Sequence, residues 1–113
     1  MTRWQELLEA AEEGNQSARH LLAVAYAEGD DSGDLDEIVE KDMEKAIYWL
    51  ERAAADGYEM AMLTLGDWHM SAHYGIFDLE KAEYWFRLAQ SKGSPYAERF
   101  LKKIESMKEN NND

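Results

Sequence analysis

The sequence repeats itself after 36 residues. Residues 42–65 read DMEKAIYWLERAAADGYEMAMLTL, and residues 78–101 read DLEKAEYWFRLAQSKGSPYAERFL. Ten of these 24 aligned positions are identical: Asp42/Asp78, Glu44/Glu80, Lys45/Lys81, Ala46/Ala82, Tyr48/Tyr84, Trp49/Trp85, Ala53/Ala89, Gly57/Gly93, Ala61/Ala97 and Leu65/Leu101. Average residue usage would give roughly one or two identities over this length. The two segments are therefore copies of one structural unit.

A third and weaker copy lies upstream, displaced by 43 residues instead of 36. It aligns Leu7/Leu50, Ala10/Ala53, Ala11/Ala54, Gly14/Gly57, Ala18/Ala61 and Leu22/Leu65. The larger displacement indicates an insertion before Asp42, where the acidic stretch 30–41 lies. Insertions in repeat arrays usually form loops, often on a functional face.

Each copy predicts two helices, because its apolar residues recur at the i, i+3, i+4, i+7 spacing of one helical face. Asp42 and Asp78 are suited to cap a helix, since a carboxylate accepts hydrogen bonds from the unpaired N–H groups of the first turn. Gly57 and Gly93 follow the apolar stretches, where a helix commonly ends in a left-handed residue. Gly66 lies inside a predicted helix at a cost of roughly 1 kcal/mol against alanine, which indicates close packing there.

Composition narrows the function classes. The 113 residues contain no cysteine, which excludes disulfides, thiol nucleophiles and cysteine-based metal sites. Twelve basic against 24 acidic residues give a net charge of −12, which repels nucleic acid and anionic membrane. The longest apolar run, residues 21–27, is far shorter than the roughly 20 residues that span a bilayer. With no secretory signal at residues 1–14, we expect a cytoplasmic chain.

These motifs resemble the Sel-like repeat, a helix–turn–helix relative of the tetratricopeptide repeat. Its pattern is Asp-x-x-Lys-Ala-x-x-Trp, an alanine pair, and Gly-x-x-x-Ala-x-x-x-Leu-Gly. The middle copy carries it at Asp42, Lys45, Ala46, Trp49, Ala53, Ala54, Gly57, Ala61, Leu65 and Gly66, and the last copy at Asp78, Lys81, Ala82, Trp85, Ala89, Gly93, Ala97 and Leu101. The resemblance covers about residues 4–104. A tyrosine usual at the end of the first helix is Tyr26 in one copy and His69 in the other.

The resemblance implies an all-α fold. We predict a right-handed alpha–alpha superhelix, a short solenoid of antiparallel helix pairs with about six helices. One domain would span residues 1–109, with the acidic insertion at 30–41, and residues 110–113 would form a disordered tail. Sel-like repeat proteins act mainly as protein-interaction modules without catalytic residues, so the resemblance implies a non-enzymatic chain that needs no cofactor and binds another protein.

The acidic stretch is the first candidate binding site, formed by Asp30, Asp31, Asp34, Asp36 and Glu37. A calcium loop of EF-hand type needs glycine sixth and glutamate twelfth, whereas a loop starting at Asp30 has Leu35 and Lys41 at those positions. The stretch is then either a solvated loop or an electrostatic docking element. Charge asymmetry favours docking, because residues 1–42 hold 12 acids and 3 bases while residues 43–113 hold 12 and 9.

Two further pairs of residues are candidate sites. Tyr48 and Tyr84 recur just off the apolar stripe, either as structural side chains or as partner-contacting surface. His69 and His73 are four residues apart and could face a metal together, but His69 occupies the motif tyrosine position, so we predict no metal site.

A small, strongly acidic interaction module suits a dedicated inhibitor. The leading hypothesis is a bacterial immunity or antitoxin protein that binds and neutralises a basic toxin domain. The alternative is an adaptor or assembly factor in a regulatory or envelope pathway that binds its partner through the concave face. A third hypothesis is a metal-regulated module that binds the metal through the acidic loop or through the two histidines.

Overall fold

Six α-helices make up the structure, a computed structural model that describes residues 1–110. They are α1 (Arg3–Glu12), α2 (Gln16–Glu28), α3 (Met43–Ala55), α4 (Glu59–Met70), α5 (Leu79–Ser91) and α6 (Ala97–Asn110). The prediction of an all-α fold with about six helices is confirmed. Of the predicted tail, Asn110 is the last residue of α6, and residues 111–113 lie outside the described residues.

The helices are short. The longest, α6, has 14 residues, whereas a transmembrane helix needs about 20 apolar residues. Within residues 1–110, no helix combines the length and the apolar character that crossing a bilayer requires.

The chain divides into two compact units, with the boundary between Tyr58 and Glu59. In the first unit, α2 packs against both α1 and α3. In the second unit, α5 packs against both α4 and α6. Sequential helices are therefore packing neighbours within each unit, as helix–turn–helix repeats require.

The predicted helix caps are confirmed in both copies. The Asp42 carboxylate accepts a hydrogen bond from the Lys45 backbone N–H at 3.1 Å, and the Asp78 carboxylate accepts one from the Lys81 N–H at the same distance. Gly57 and Gly93 have φ of 88° and 91°, the left-handed conformation expected just past a helix end.

One backbone hydrogen bond recurs at the residues that begin the two copies, just before α3 and α5. The N–H of Asp42 donates to the carbonyl of Tyr26 at 2.7 Å, and the N–H of Asp78 donates to the carbonyl of His69, also at 2.7 Å. The bond uses only main-chain atoms, so it survives the replacement of the motif tyrosine by His69. It returns the chain to the end of the preceding helix in both copies, despite their different loop lengths.

Gly66 brings α4 against α5, as its position in the sequence predicts. A Cβ atom at Gly66 would lie 2.6 Å from the tip of the Phe86 ring. Phe86 is fully buried, and its ring stacks on Phe100 with centroids 4.8 Å apart and planes 8° from parallel. The Phe86 ring is held by α4 at its tip and by Phe100 on its face. A larger residue at position 66 would therefore displace packed side chains.

The repeated tryptophans keep the same local geometry. The Tyr48 and Trp49 rings meet edge-on at 5.2 Å, and the Tyr84 and Trp85 rings do so at 5.0 Å. Trp49 is buried, whereas Trp85 is half-buried. The motif alanines at 46, 53, 82 and 89 are all fully buried, consistent with small residues that let a neighbouring helix approach.

We expect Gly66→Ala to lower the free energy of unfolding by about 1 kcal/mol. Overpacking a core costs about 1–3 kcal/mol and exceeds the roughly 1 kcal/mol that alanine gains over glycine inside a helix. In a Phe86→Leu background the ring is absent, and the same change should instead stabilise the protein. Urea denaturation of the wild type, both single variants and the double variant measures this coupling. Equal effects of Gly66→Ala in the two backgrounds would contradict the steric explanation.

Candidate functional site

The acidic insertion is an ordered loop held against α1. Asp30 and Val39 form an isolated antiparallel bridge, with N–H to carbonyl distances of 2.8 and 2.7 Å. The N–H of Trp4 donates to the carbonyl of Leu35 at 3.0 Å. Val39 is buried, so the loop has an apolar anchor as well as hydrogen bonds.

Two of the five candidate acids have structural roles in this loop. Asp36 has a positive φ of 59°, and its carboxylate accepts a hydrogen bond from the N–H of Arg3 at 3.2 Å, at the start of α1. A negative charge there is favourable because it faces the positive end of the helix dipole. Hydrogen bonds from the Ser32 hydroxyl and N–H to Asp30 hold the pKa of that carboxyl below its usual range.

The other three acids, Asp31, Asp34 and Glu37, are exposed. Within residues 1–110, their carboxylates make no hydrogen bond or ion pair with another residue. The carbonyl of Asp34 accepts a hydrogen bond from the guanidinium of Arg3 at 3.0 Å, which fixes the backbone while leaving the carboxylate in solvent. These three charges are presented from a loop whose backbone is already fixed.

The two candidate tyrosines lie in different units. Tyr48 on α3 is 51% exposed and Tyr84 on α5 is 59% exposed. The Tyr48 hydroxyl accepts a hydrogen bond from Arg52 at 3.1 Å, and Arg52 also lies over the Trp49 ring, 5.0 Å from its centroid. Each tyrosine therefore presents an amphipathic ring at the surface.

A further feature, which sequence reasoning missed, is an apolar groove of about 660 Å³ in the first unit. We call it the α1–α2 groove; its floor is formed by Leu7, Ala10, Ala18, Leu21, Val24 and Ala25, and Glu6, Glu28, Asp30 and Asp34 lie around it. Leu21 is 56% exposed and Val24 is 38% exposed. The sequence does contain a signal for this groove, because residues 21–27 are apolar on every side of α2. That is a larger apolar surface than packing against α1 and α3 alone would bury.

Arg19 bonds α2, which forms one wall of this groove, to the end of α1, which forms the other wall. Its guanidinium is buried, and its Nε donates to the carbonyl of Ala11 near the end of α1 at 3.0 Å. Its Nη1 donates to the Asp56 carboxylate at 2.6 Å, after the end of α3. That hydrogen bond holds the pKa of Asp56 below its ordinary value of 3.8. A charged residue in a helix would normally be placed in solvent, so sequence reasoning missed this role.

The histidines considered as metal ligands are engaged in the fold. His69 is buried, and its Nδ1 lies 3.0 Å from the carbonyl of Ile76. The His73 ring meets the Tyr74 ring edge-on at 4.7 Å. In the part of the chain that the structure describes, no group of three or more His, Asp or Glu side chains is arranged to hold a metal ion.

Comparison with known proteins identifies the repeat. The family model described as Sel1 repeat matches residues 16–58 and 60–94, which correspond to α2–α3 and α4–α5. The crystal structure of a Sel1 repeat protein from Oxalobacter formigenes is 31% identical to this chain, with a TM-score of 0.65, over 86% of this chain and 68% of that one. A comparison with curated proteins gave no match. The two matched segments leave α1 and α6 as single helices on either side.

The Arg19–Asp56 pair predicts a pH-dependent stability. Because the pKa of Asp56 is lowered by folding, its contribution is present above its ordinary value of 3.8 and is lost as the pH falls through the folded-state value. We expect Asp56→Asn to lower the melting temperature at neutral pH, and the gap from wild type to close on acidification. Thermal melts from about pH 7 to about pH 2.5 measure this gap.

Asp67→Asn is the matched control, since Asp67 is an exposed carboxylate on α4. Its melting temperature should follow that of the wild type over the same pH range. A constant gap between Asp56→Asn and the wild type at every pH would show that the ionised pair does not stabilise the fold.

Proposed function

Because this chain belongs to the Sel1 repeat family, whose repeats generally mediate protein–protein interaction, we propose that it binds a basic protein through its acidic insertion. More specifically, we propose an immunity or antitoxin protein that neutralises a basic toxin domain. The observation that carries this proposal is the presentation of Asp31, Asp34 and Glu37 by an ordered loop, with no partner for their carboxylates within residues 1–110.

Charge distribution supports a basic partner. The net charge of the chain is −12, and residues 1–42 hold 12 acids against 3 bases. A concentrated negative surface accelerates the encounter with a positive one and disfavours acidic competitors. This asymmetry supports a partner-facing role for residues 1–42.

The order of the insertion supports binding rather than simple solvation. A flexible loop would lose conformational freedom when it docks, and that loss reduces affinity. Here the bond from Trp4 to Leu35 and the bonds between Arg3 and residues 34 and 36 already hold the loop. Its free carboxylates are thus arranged before any partner arrives.

A toxin domain that acts on nucleic acid is a suitable partner, because the surface that binds the phosphates is basic. A protein that acts on nucleic acid neutralises phosphates with lysine and arginine. An acidic protein that covers those side chains would block access to the substrate without any catalysis of its own. Tyr48 and Tyr84, as exposed aromatic residues, are proposed to add contact area to such a complex.

The test is association with the basic products of reading frames that adjoin this gene in the source genome. We expect one of them to form a complex whose association rate falls at least about tenfold between about 50 and about 300 mM salt. The variant Asp31→Asn/Asp34→Asn/Glu37→Gln should slow association at low salt, as measured by stopped-flow fluorescence. Co-expression with this chain should also relieve growth inhibition by that product.

The matched control is Glu51→Gln/Glu105→Gln/Glu109→Gln, which removes three exposed charges elsewhere and gives the same net charge. It should associate at nearly the wild-type rate. If salt and the insertion variant leave the association rate unchanged, or if no basic neighbouring product binds, the proposed function is wrong.

A further inference from the structure

We infer that the α1–α2 groove is a receptor for one α-helix of the partner, a helix with small and apolar residues on one face and basic residues along its edges. This inference rests on the proposed function in one respect: the helix is taken to belong to the basic protein. The receptor itself does not depend on that function, because a helix packs on the equivalent surface in the second unit of this same chain.

The second unit shows what covers the equivalent surface. Along the repeat, the groove residues Leu7, Ala10, Leu21 and Ala25 correspond to Phe86, Ala89, Phe100 and Ile104 on α5 and α6. There, α4 lies over the pair. Gly66 of α4 meets the Phe86 ring, and a cleft is lined by Asp67 and Met70 of α4 together with Phe100 and Lys103 of α6. A helix therefore occupies the place that is open in the first unit.

Burial follows the presence of that helix. Phe86 and Ala89 are fully buried beneath α4. Their counterparts Leu7 and Ala10 are only half-buried, and Leu21 is 56% exposed. The α1–α2 groove is lined by α1, α2 and the insertion alone. Its floor thus keeps the apolar character of a helix-packing surface without a helix on it.

The packing of α4 also indicates what the occupant must present. At its closest approach α4 has Gly66, because the Phe86 ring leaves no room for a Cβ atom. Leu7 stands in place of Phe86 in the groove and is shorter, so alanine or serine fits there as well as glycine. α1 has ten residues, about 15 Å at 1.5 Å per residue, which matches an occupant of about three turns.

The edges of the groove select a basic helix. Glu6 lies on the α1 side, and Glu28, Asp30 and Asp34 lie towards the end of α2 and the insertion. Arg3, the basic residue of the lining, donates to the backbone of Asp34 and lies 3.9 Å from the Asp36 carboxylate. Lysine or arginine flanking the apolar stripe of an incoming helix would meet carboxylates on both sides.

A second copy of this chain is a poor occupant. Its α6 would be the helix to use, but the residue of α6 that corresponds to Gly66 is Lys102, followed by Lys103. Both lysines are exposed. Seating α6 in the groove would press Lys102 against Leu7 and Ala10, burying a charge among apolar side chains. A helix from a different protein avoids this cost.

The direct test uses a defined probe of about three turns, a stapled helical peptide of about 11 residues with an alanine–leucine stripe and lysine at all other positions. In ¹⁵N-labelled protein, we expect chemical-shift changes confined to the amides of α1, α2 and the insertion. A peptide with glutamate in place of every lysine should bind at least about tenfold more weakly. Shift changes elsewhere, or none at saturating lysine peptide, would overturn the inference.

Leu21→Gln/Val24→Gln should weaken the lysine peptide at least about tenfold by removing the apolar floor. Both side chains are partly exposed, so the variant should keep the wild-type helical circular dichroism. Met60→Gln is the matched control, an exposed apolar residue on a helix of the second unit, and should bind as the wild type does. Equal affinity of the double variant and the control would contradict the groove as the site.

The partner assay separates this inference from the proposed function. With the basic partner, Leu21→Gln/Val24→Gln should keep the salt-dependent association rate but raise the dissociation rate. If dissociation is unchanged while the acidic variant still slows association, the groove inference fails and the proposed function stands. If the lysine peptide binds in the groove but no basic neighbouring product does, the proposed function fails alone. Self-association in sedimentation experiments that the double variant abolishes would assign the groove to a second copy.

Discussion

Close approach of neighbouring helices is the constraint on which this structure depends. It requires a small residue on one helix opposite a large one on the next, as Gly66 and Phe86 show at contact distance. The fully buried alanines at 46, 53, 82 and 89 follow the same logic at matched positions. α1 and α2 keep apolar residues at the positions that α4 covers on α5 and α6, whereas the corresponding face of α6 carries Lys102 and Lys103. The α1–α2 groove is the consequence of this pattern in the first unit.

The acidic insertion adds negative charge beside that apolar face, which the repeat alone does not supply. The repeat builds a generic helix-packing surface, which any amphipathic helix of suitable size could use. Asp30 and Asp34 lie beside it because the insertion is bonded back to the start of α1 through Trp4 and Arg3. Apolar burial would then supply the residence time of a bound helix, and the surrounding charge would select which helix enters.

The features that could be predicted from the sequence are those that depend on residues close to one another along the chain. Asp42, Asp78 and Gly66 act through residues on their own or the adjacent helix, so their residue types and spacing were enough. The conformation of the insertion could not be predicted, since it depends on bonds across more than thirty positions, such as Arg3 to Asp36. The burial of Arg19 was equally hidden, because its partners Ala11 and Asp56 lie on other segments. The groove could have been anticipated from the excess of apolar residues on α2.

Arg19 connects the stability of the fold to the shape of the groove. It ties α2 to the end of α1 through Ala11 and to the turn after α3 through Asp56. The guanidinium is buried while the Asp56 carboxylate remains about half exposed, so the pair forms without burying both charges. The end of α1 is therefore bonded to α2 by a side chain of α2 itself, without a contribution from a helix that covers both. Such a bond favours a receptor whose two helices are already positioned when an incoming helix binds, because less ordering is then lost on association.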